Sequence, residues 1–480
     1  MKKLIKPICA LLVLAAVLTV ISACDKNEPQ NTTDPNDSVV PSVVAGIEKK
    51  NYKADFTIIN PDGGLYQDYY WSEEISNSSN IALANYEREL AIEEHLGIEI
   101  YHDTFEQNSG VLHSKLETAQ LGGLDEQQLV LTHCFQDTVP LMTSGYVLDL
   151  ATVPGISFNE EYYNVELMNS ITYQDHTYLG SSSLILHGPT FILFNKTIAD
   201  SFDDVGSDKL YQHARDKTWT IDQMYEYAKL VDISLNETLT DPMQGTYGFI
   251  SHIDWEMCSF VTASGYVHVS EDSNGDYQLQ GFNEEIFNIF KKIVAITDSE
   301  YFYGWKYAVP QTKALAMDSG RAFFSTSSTE NMIQQMITSE VPLGVLPYPT
   351  VEAGMDRQYL DWAGYFVIPT VVKNQQMSGD VVELLSYYGE TEIKHEFYDV
   401  LLGLRASKEP QDAEMLDLVF DNLVGERALT FLQGSSGNAT NSLAQIFYVV
   451  PRMIRDGEKA MASWYASYHD SGQSSLDELN

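Results

Sequence analysis

Between Asp55 and Thr132 the chain alternates short apolar runs with amphipathic stretches, and few folds accept that order. Asp55-Phe56-Thr57-Ile58-Ile59 reads as a short strand, closed by the turn formers Asn60-Pro61-Asp62-Gly63-Gly64. Residues 81–96 carry apolar side chains at helical spacing, with Leu83, Tyr86 and Leu90 on one stripe and Gly97 as a stop signal. Ile98-Glu99-Ile100-Tyr101 reads as a second strand, residues 111–121 as a second helix, and Gln128-Leu129-Val130-Leu131-Thr132 as a strand buried on both faces. A βαβαβ opening of this kind predicts a parallel sheet covered on both sides by helices. Ligands on such sheets sit at the carboxyl ends of the strands, which puts His133-Cys134-Phe135 at a site-like position.

The pattern continues downstream. Residues 178–194 supply extended apolar runs broken by Gly188-Pro189. Residues 219–231 read as a helix with a capping box at Thr220 and Gln223, and Met224, Tyr227, Ala228 and Val231 on its apolar face. Residues 266–269 and 276–279 flank Asn274-Gly275, a hairpin signal, and residues 284–296 form another amphipathic helix. There is no internal repeat and no second candidate membrane span.

The N-terminus has its own logic. Lys2, Lys3 and Lys6 precede an apolar stretch from Ile8 to Ile21, too short for a membrane span, and Ile21-Ser22-Ala23-Cys24 follows. This is the pattern of a bacterial lipoprotein signal peptide over residues 1–23, cleaved before a Cys24 that then carries lipid. Residues 24–50, with Asp25-Lys26-Asn27-Glu28-Pro29-Gln30 and little to bury, are expected to be a lipid-anchored flexible linker. Of the four cysteines, Cys9 leaves with the signal and Cys24 takes the lipid. A bridge between Cys134 and Cys258 cannot be read from the sequence; two buried thiols are the expectation.

The chain has 68 acids against 28 bases. Loss of residues 1–23 removes three lysines and no acid, so 25 bases remain and the mature net charge is −43. A surface of that sign repels nucleic acid and anionic head groups, so membrane contact is expected only through the N-terminal lipid. A mature chain of 457 residues is too long for one core, which predicts two lobes.

Catalytic signatures are missing. There is no phosphate-binding Gly-x-x-x-x-Gly-Lys and no His-Glu-x-x-His, and Gly434-Ser435-Ser436-Gly437 is one residue short of a nucleophile elbow. Asp272-Ser273-Asn274-Gly275-Asp276 lacks the glycine position and the closing glutamate of a calcium loop and reads as a turn. Acid pairs such as Glu160-Glu161 and Glu284-Glu285 are expected by chance in so acidic a chain, and the 11 histidines show no ligand spacing. No catalytic residue, metal or cofactor is therefore expected.

Several segments, in order, resemble the extracellular solute-binding proteins of ABC importers, family 1, related to the maltose-binding proteins and of Gram-positive type. Residues 129–135, followed by Leu141–Gly145 and Val147-Leu148-Asp149-Leu150, resemble the strand, cleft loop and helix ending in "sG-x-L-x-x-L". Phe191-Ile192-Leu193-Phe194-Asn195-Lys196 is similar to the "l-x-Y-N-K" strand, Thr218-Trp219-Thr220 to the "t-W-e/t" helix start, and Gly320-Arg321-Ala322-Phe323-Phe324 to the "G-x-a-A-m/f" turn. Residues 341–349 resemble the strand before the chain crosses back, and residues 413–417 a C-terminal helix of such relatives.

The resemblance implies a two-lobed α/β fold of periplasmic-binding-protein type II, each lobe a mostly parallel sheet flanked by helices, with the ligand cleft between them. Residues 51–147 and 360–405 would form lobe 1, and 148–359 and 406–480 lobe 2. It also implies a monomer on the outer face of the membrane that captures a solute, most naturally a carbohydrate, by hinge closure and delivers it to ABC permease subunits. The ligand-binding residues it implies are Tyr66, Tyr70, His133, Phe135, Trp255, Glu256, Ser325, Thr326 and Trp362. Aromatic rings stack on sugar faces while carboxylates and hydroxyls bond sugar hydroxyls. Two departures stand out. Ser325-Thr326-Ser327-Ser328 replaces the aromatic of maltodextrin binders, which argues against maltodextrin itself, and Tyr162-Tyr163 stands where many relatives have tryptophan. A peptide binder in the same transport role, or a surface lipoprotein serving as adhesin, sensor or hydrolase, also fits the sequence.

Overall fold

The computed structural model describes residues 43–62, 80–106, 110–133, 137–234, 236–241, 244–252, 255–305, 316–329, 332, 339–362, 364–396, 410–433 and 461–480. Cys24, Tyr66, Tyr70, Cys134 and Phe135 lie outside them. The folded unit begins at Val43, inside the segment expected as linker, with a small hairpin of β1 (Val43–Val44) and β2 (Ile47–Glu48).

The expected βαβαβ opening is present as β3 (Ala54–Asp62), α1 (Asn80–Leu96), β4 (Ile98–Glu106), α2 (Val111–Gly122) and β5 (Leu129–His133). These strands join β14 (Gly364–Val367) in a sheet of order β14-β5-β3-β4. Only the β14–β5 pairing is antiparallel. Side chains alternate along β3. Phe56 and Ile58 enter one core with Ile92, Leu96 and Phe366, while Ile59 enters the other with Phe105, Leu112 and Leu116. β3 runs three residues past the expected stop at Ile59, through Pro61. The reason is pairing: β5 accompanies β3 only at Ile58 and Ile59, so beyond them β3 is bonded on the β4 side alone and a residue without N–H is tolerated.

The chain then passes α3 (Thr138–Thr143) and α4 (Val165–Ser170) and enters a second sheet. Its strands are β6 (Thr190–Asn195), β7 (Tyr247–His252), β10 (Phe302–Trp305), β11 (Ala322–Ser328) and β12 (Leu343–Leu346), ordered β10-β7-β11-β6-β12. β6 alone runs against the other four. Helices α5 (Lys196–Asp200), α6 (Ser207–Arg215), α7 (Ile221–Ala228), α8 (Trp255–Ala263) and α9 (Glu284–Thr297) come from its connections. Between α8 and α9, β8 (Val269–Glu271) and β9 (Tyr277–Leu279) form the expected hairpin. Gly275 has φ +88°, and the Asp272 carboxylate accepts the N–H groups of Asn274 and Asp276 at 2.7 and 3.1 Å, so that acid closes the turn.

Local rules set the helix boundaries. Asn283 Oδ1 accepts the Ile286 N–H at 3.0 Å at the start of α9, whose buried face is Ile286, Ile289, Phe290 and Ile293, each contributing about 1.5–3 kcal/mol by burial. Thr220 Oγ1 accepts the Gln223 N–H at 3.2 Å, so α7 starts at Ile221. Trp219 stays outside that helix, buried, with its indole N–H on the Pro347 carbonyl at 2.9 Å.

The last part returns to both sheets. Residues 359–360 form β13, β14 closes the first sheet, and α10 (Gln375–Tyr388) packs over it before a π-helical turn at Gly389–Ile393. Then α11 (Pro410–Phe420) and β15 (Leu423–Val424, parallel to β13) follow, with α12 (Met461–Asp477) at the C-terminus. Among the described residues no helix is long and apolar enough to cross a membrane.

A buried ion pair holds α11 to the five-stranded half. Lys196 Nζ lies 3.0 Å from Asp412 Oδ2, the same carboxylate accepts the Val345 N–H at 2.9 Å, and the Tyr211 hydroxyl donates to it. Lys196 and Asp412 are 4% and 1% exposed, so removing one partner strands a charge. Asp412→Ala should therefore cost about 3–5 kcal/mol, read as a lowered urea midpoint at unchanged slope.

Candidate functional site at the junction of the two sheets

The carboxyl ends of the parallel strands in both halves point to one junction. In the first sheet β5 ends at His133, which pairs with Gly364 at the start of β14. In the second, β7 ends at His252 and β11 at Ser328, which pairs with Thr190 at the start of the reversed strand β6. The chain enters β6 through His187-Gly188-Pro189 and enters β14 through Asp361-Trp362. These two crossing segments are bonded to each other. Asp361 Oδ1 accepts the Gly188 N–H at 2.8 Å, and Asp361 Oδ2 lies 2.7 Å from His187 Nδ1. Asp361 and Pro189 form a β-bridge, and the Trp362 N–H donates to the Gly188 carbonyl at 3.3 Å. The Thr329 N–H and hydroxyl both donate to the Pro189 carbonyl, at 3.1 and 2.9 Å.

The five-stranded half lines this junction with hydroxyls around one carboxylate. Thr326 donates to Glu256, and its hydroxyl lies 2.9 Å from the Ser251 hydroxyl. Thr190 and Ser259 share a hydrogen bond of 2.7 Å. The Tyr348 ring packs edge-on against Phe260, with centroids 4.9 Å apart, and burial, with the nearby Glu256 charge, pushes its hydroxyl well above the usual range. On the four-stranded side, burial pushes the His133 imidazole down to about 3, while the charge of Asp361 pulls weakly the other way. His133 is therefore neutral in the folded protein at neutral pH.

The residues proposed from sequence fall into three groups. His133 and Trp362 lie at the junction, buried, on β5 and on the crossing into β14. Glu256 sits in the first turn of α8, and Ser325 and Thr326 lie inside β11 with no exposed surface; all three belong to the buried wall of the five-stranded half. Trp255 is the first residue of α8, and its side chain is outside the description, as are Tyr66, Tyr70 and Phe135 altogether. Sequence reasoning missed Asp361, His187, Ser251, Ser259 and Tyr348. The Gly188-Pro189 break was a signal for His187, whereas nothing local marks Asp361 as the acid that joins two crossings.

No family model matches the sequence, and no curated protein does. Solved structures do. The chain is similar to the GacH receptor of Streptomyces glaucescens, known unliganded and in complex with acarbose and an acarbose homolog, with TM-score 0.54 and 13% identity over 89% of this chain and 99% of that one. It is similar to an ABC transporter solute-binding protein of Thermotoga lettingae bound with alpha-D-tagatose, with TM-score 0.53 and 13% identity over 89% and 100%. It is also similar to maltose-bound MalE3 of T. maritima, with TM-score 0.50 and 12% identity over 89% and 99%. The fold is that of the ABC solute-binding proteins. The likeness spans nearly the full length of each neighbour, so both halves and their crossings are included. All three neighbours are binding proteins.

The state of His133 has a measurable consequence. Its folded value is depressed from 6.5 to about 3, so the unfolded chain takes up a proton below pH 6.5 that the folded chain refuses. The stabilisation from neutral His133 is complete above that pH and is lost as the pH falls, by up to about 1.4 kcal/mol per unit. His133→Gln should flatten the decline of urea stability between pH 6.5 and 4.5 relative to the parent. Parallel declines in the two proteins would mean that His133 is solvated.

Proposed function

We propose that this protein is the substrate-binding lipoprotein of an ABC importer, and that it captures a neutral carbohydrate between two lobes and hands it to the permease. The observation that carries the reading is the junction itself, where the strand ends of two α/β halves meet across bonded crossing segments. Such a geometry lets two lobes rotate about the crossings and close on a solute held at their strand ends. The neighbours in complex with acarbose, tagatose and maltose support a sugar as the solute. The chemistry of the junction supports it independently. Among its described residues the junction is built of Ser, Thr and Tyr hydroxyls, two carboxylates, a tryptophan and histidines. Hydroxyls and carboxylates suit a polyol, and the acids Glu256 and Asp361 disfavour an anion.

The proposed lobes are 51–147 and 360–405 against 148–359 and 406–480, with residues 43–50 and, before the first crossing, residues 148–163 and 180–185 packed on lobe 1. Tyr66, Tyr70, His133, Phe135, Trp255, Glu256, Ser325, Thr326 and Trp362 are the ligand-binding set. Within it, Ser325 and Thr326 support the wall, because both are fully buried here. Cys24 carries the lipid that holds a monomer at the outer face of the membrane. The binder itself makes and breaks no bond.

A thermal-shift screen of residues 24–480, with Cys24→Ser, tests the reading against neutral mono- and oligosaccharides, uronic acids, peptides and amino acids. A ligand confined to the folded state raises the melting temperature by mass action, about 2.7 kcal/mol of stabilisation at 100 Kd. One class of neutral sugar is expected to shift the melt and to shrink the radius of gyration in X-ray scattering. A shift with peptides alone would move the solute to that class, and a shift without compaction would refute the hinge. Trp255→Ala should abolish the sugar-induced shift while leaving the ligand-free melt within a few degrees.

A further inference from the structure

Among the described residues, the segment that enters the folded unit is fastened to one half only. The hairpin β1–β2 turns at Ala45-Gly46, both at positive φ (48° and 74°), and buries Val44 and Ile47 in the core beside Ile92, Leu96, Met377 and Val381. Its backbone is captured next. His95, fully buried in the last turn of α1, donates from Nε2 to the Ile47 carbonyl at 3.0 Å. The N–H groups of Lys50, Tyr52 and Lys53 donate to the carbonyls of His95, Leu96 and Gly97 at 2.9, 2.9 and 2.8 Å. Two side chains then converge on one buried acid. Lys50 Nζ and the Tyr52 hydroxyl each lie 2.5 Å from Asp380 Oδ2, while Gln376 Nε2 donates to Asp380 Oδ1 at 2.9 Å. Asp380 is 1% exposed and sits in α10. Gly97 completes the fit. Its φ is +63°, and a Cβ there would lie 2.6 Å from Asn51 Oδ1 and 2.8 Å from Asn51 Cα.

These partners belong to α1, the start of β4 and α10, all in the four-stranded half. They also lie at one pole of it. Residue 54 starts β3, Ile98 starts β4, and the strand ends that form the junction are at the other edge of the sheet. We propose that residues 43–53 are a latch that fastens the N-terminal tether to the four-stranded half alone, at the pole opposite the binding junction. The anchored half is then held and the five-stranded half is the one free to swing. That consequence rests on the lipid-tether reading above, whereas the latch itself does not.

Trypsin reads the latch directly, because residues 24–48 contain one basic residue, Lys26, and the latch contains Lys49, Lys50 and Lys53. In the mature chain (residues 24–480, Cys24→Ser), cleavage after Lys49, Lys50 and Lys53 is expected to be at least about tenfold slower than after Lys26, since a fastened segment must open before it is cut. Asp380→Asn and Gly97→Ala should each bring those cuts forward. Tyr52→Phe, which leaves Asp380 intact, should do so to a smaller extent and serves if the first two fail to fold. Hydrogen exchange in Tyr52→Phe should rise at Lys50, Tyr52 and Lys53 and remain unchanged across β6, β7, β11 and β12. Cleavage of the unmodified chain at Lys49–Lys53 as fast as at Lys26 would overturn the latch. Faster exchange in the five-stranded half would overturn the claim that one half alone is fastened. Neither result depends on a sugar, so the latch and the transport reading fail separately.

Discussion

The architecture turns on Asp361. A chain that crosses between two α/β halves must hold its crossings in fixed register, or the strand-end edges drift apart. Asp361 does this with both carboxylate oxygens, one on the Gly188 N–H and one on His187, so the passage into β6 and the passage into β14 are joined at a single buried group. A buried carboxylate has lost most of its hydration and is held in place by donors that replace it.

The same device recurs away from the junction. Glu383 on α10 accepts the hydroxyls of Tyr162 and Tyr163 at 2.5 and 2.7 Å and the Ser157 N–H at 2.6 Å, which binds the segment between α3 and α4 to the four-stranded half. Burial together with the Glu383 charge drives both phenols far above their ordinary range, so they stay donors at any physiological pH. Asp412 does for α11 what Asp380 does for the entering segment. A chain with 68 acids could place them all in water. This one buries several, each facing hydroxyls, amides or an amine, and uses them to join segments that are remote in sequence.

A wall of hydroxyls suits solute recognition because each can donate or accept as the ligand requires. Its cost is that every buried hydroxyl needs a partner within the protein. The structure meets that need internally, with Thr326 on Glu256 and Ser251, and Thr190 on Ser259. Such pairing keeps β6, β7, β11 and α8 in fixed relation, which is the preorganisation that the proposed solute site requires.

The sequence by itself determined the periodic elements. The βαβαβ opening, the Asn274-Gly275 hairpin, the capped start of α7 and the amphipathic α9 depend on neighbours a few residues apart, and local spacing encodes them. His133 could be singled out because a strand end is a local feature, whereas Glu256 and Trp362 were implied only by the family resemblance. Tertiary structure alone decided the rest. Pro61 reads as a stop among turn formers, yet β3 continues through it, because its missing N–H would matter only if a strand paired on that side and β5 withdraws two residues earlier. Residues 43–50 read as linker because they continue a polar run with little to bury, and only the fold brings Asp380, more than 300 positions away, against Lys50 and Tyr52. Asp361 was indistinguishable from dozens of other acids. Its role comes from two crossing segments more than 170 residues apart, and no window of sequence contains both.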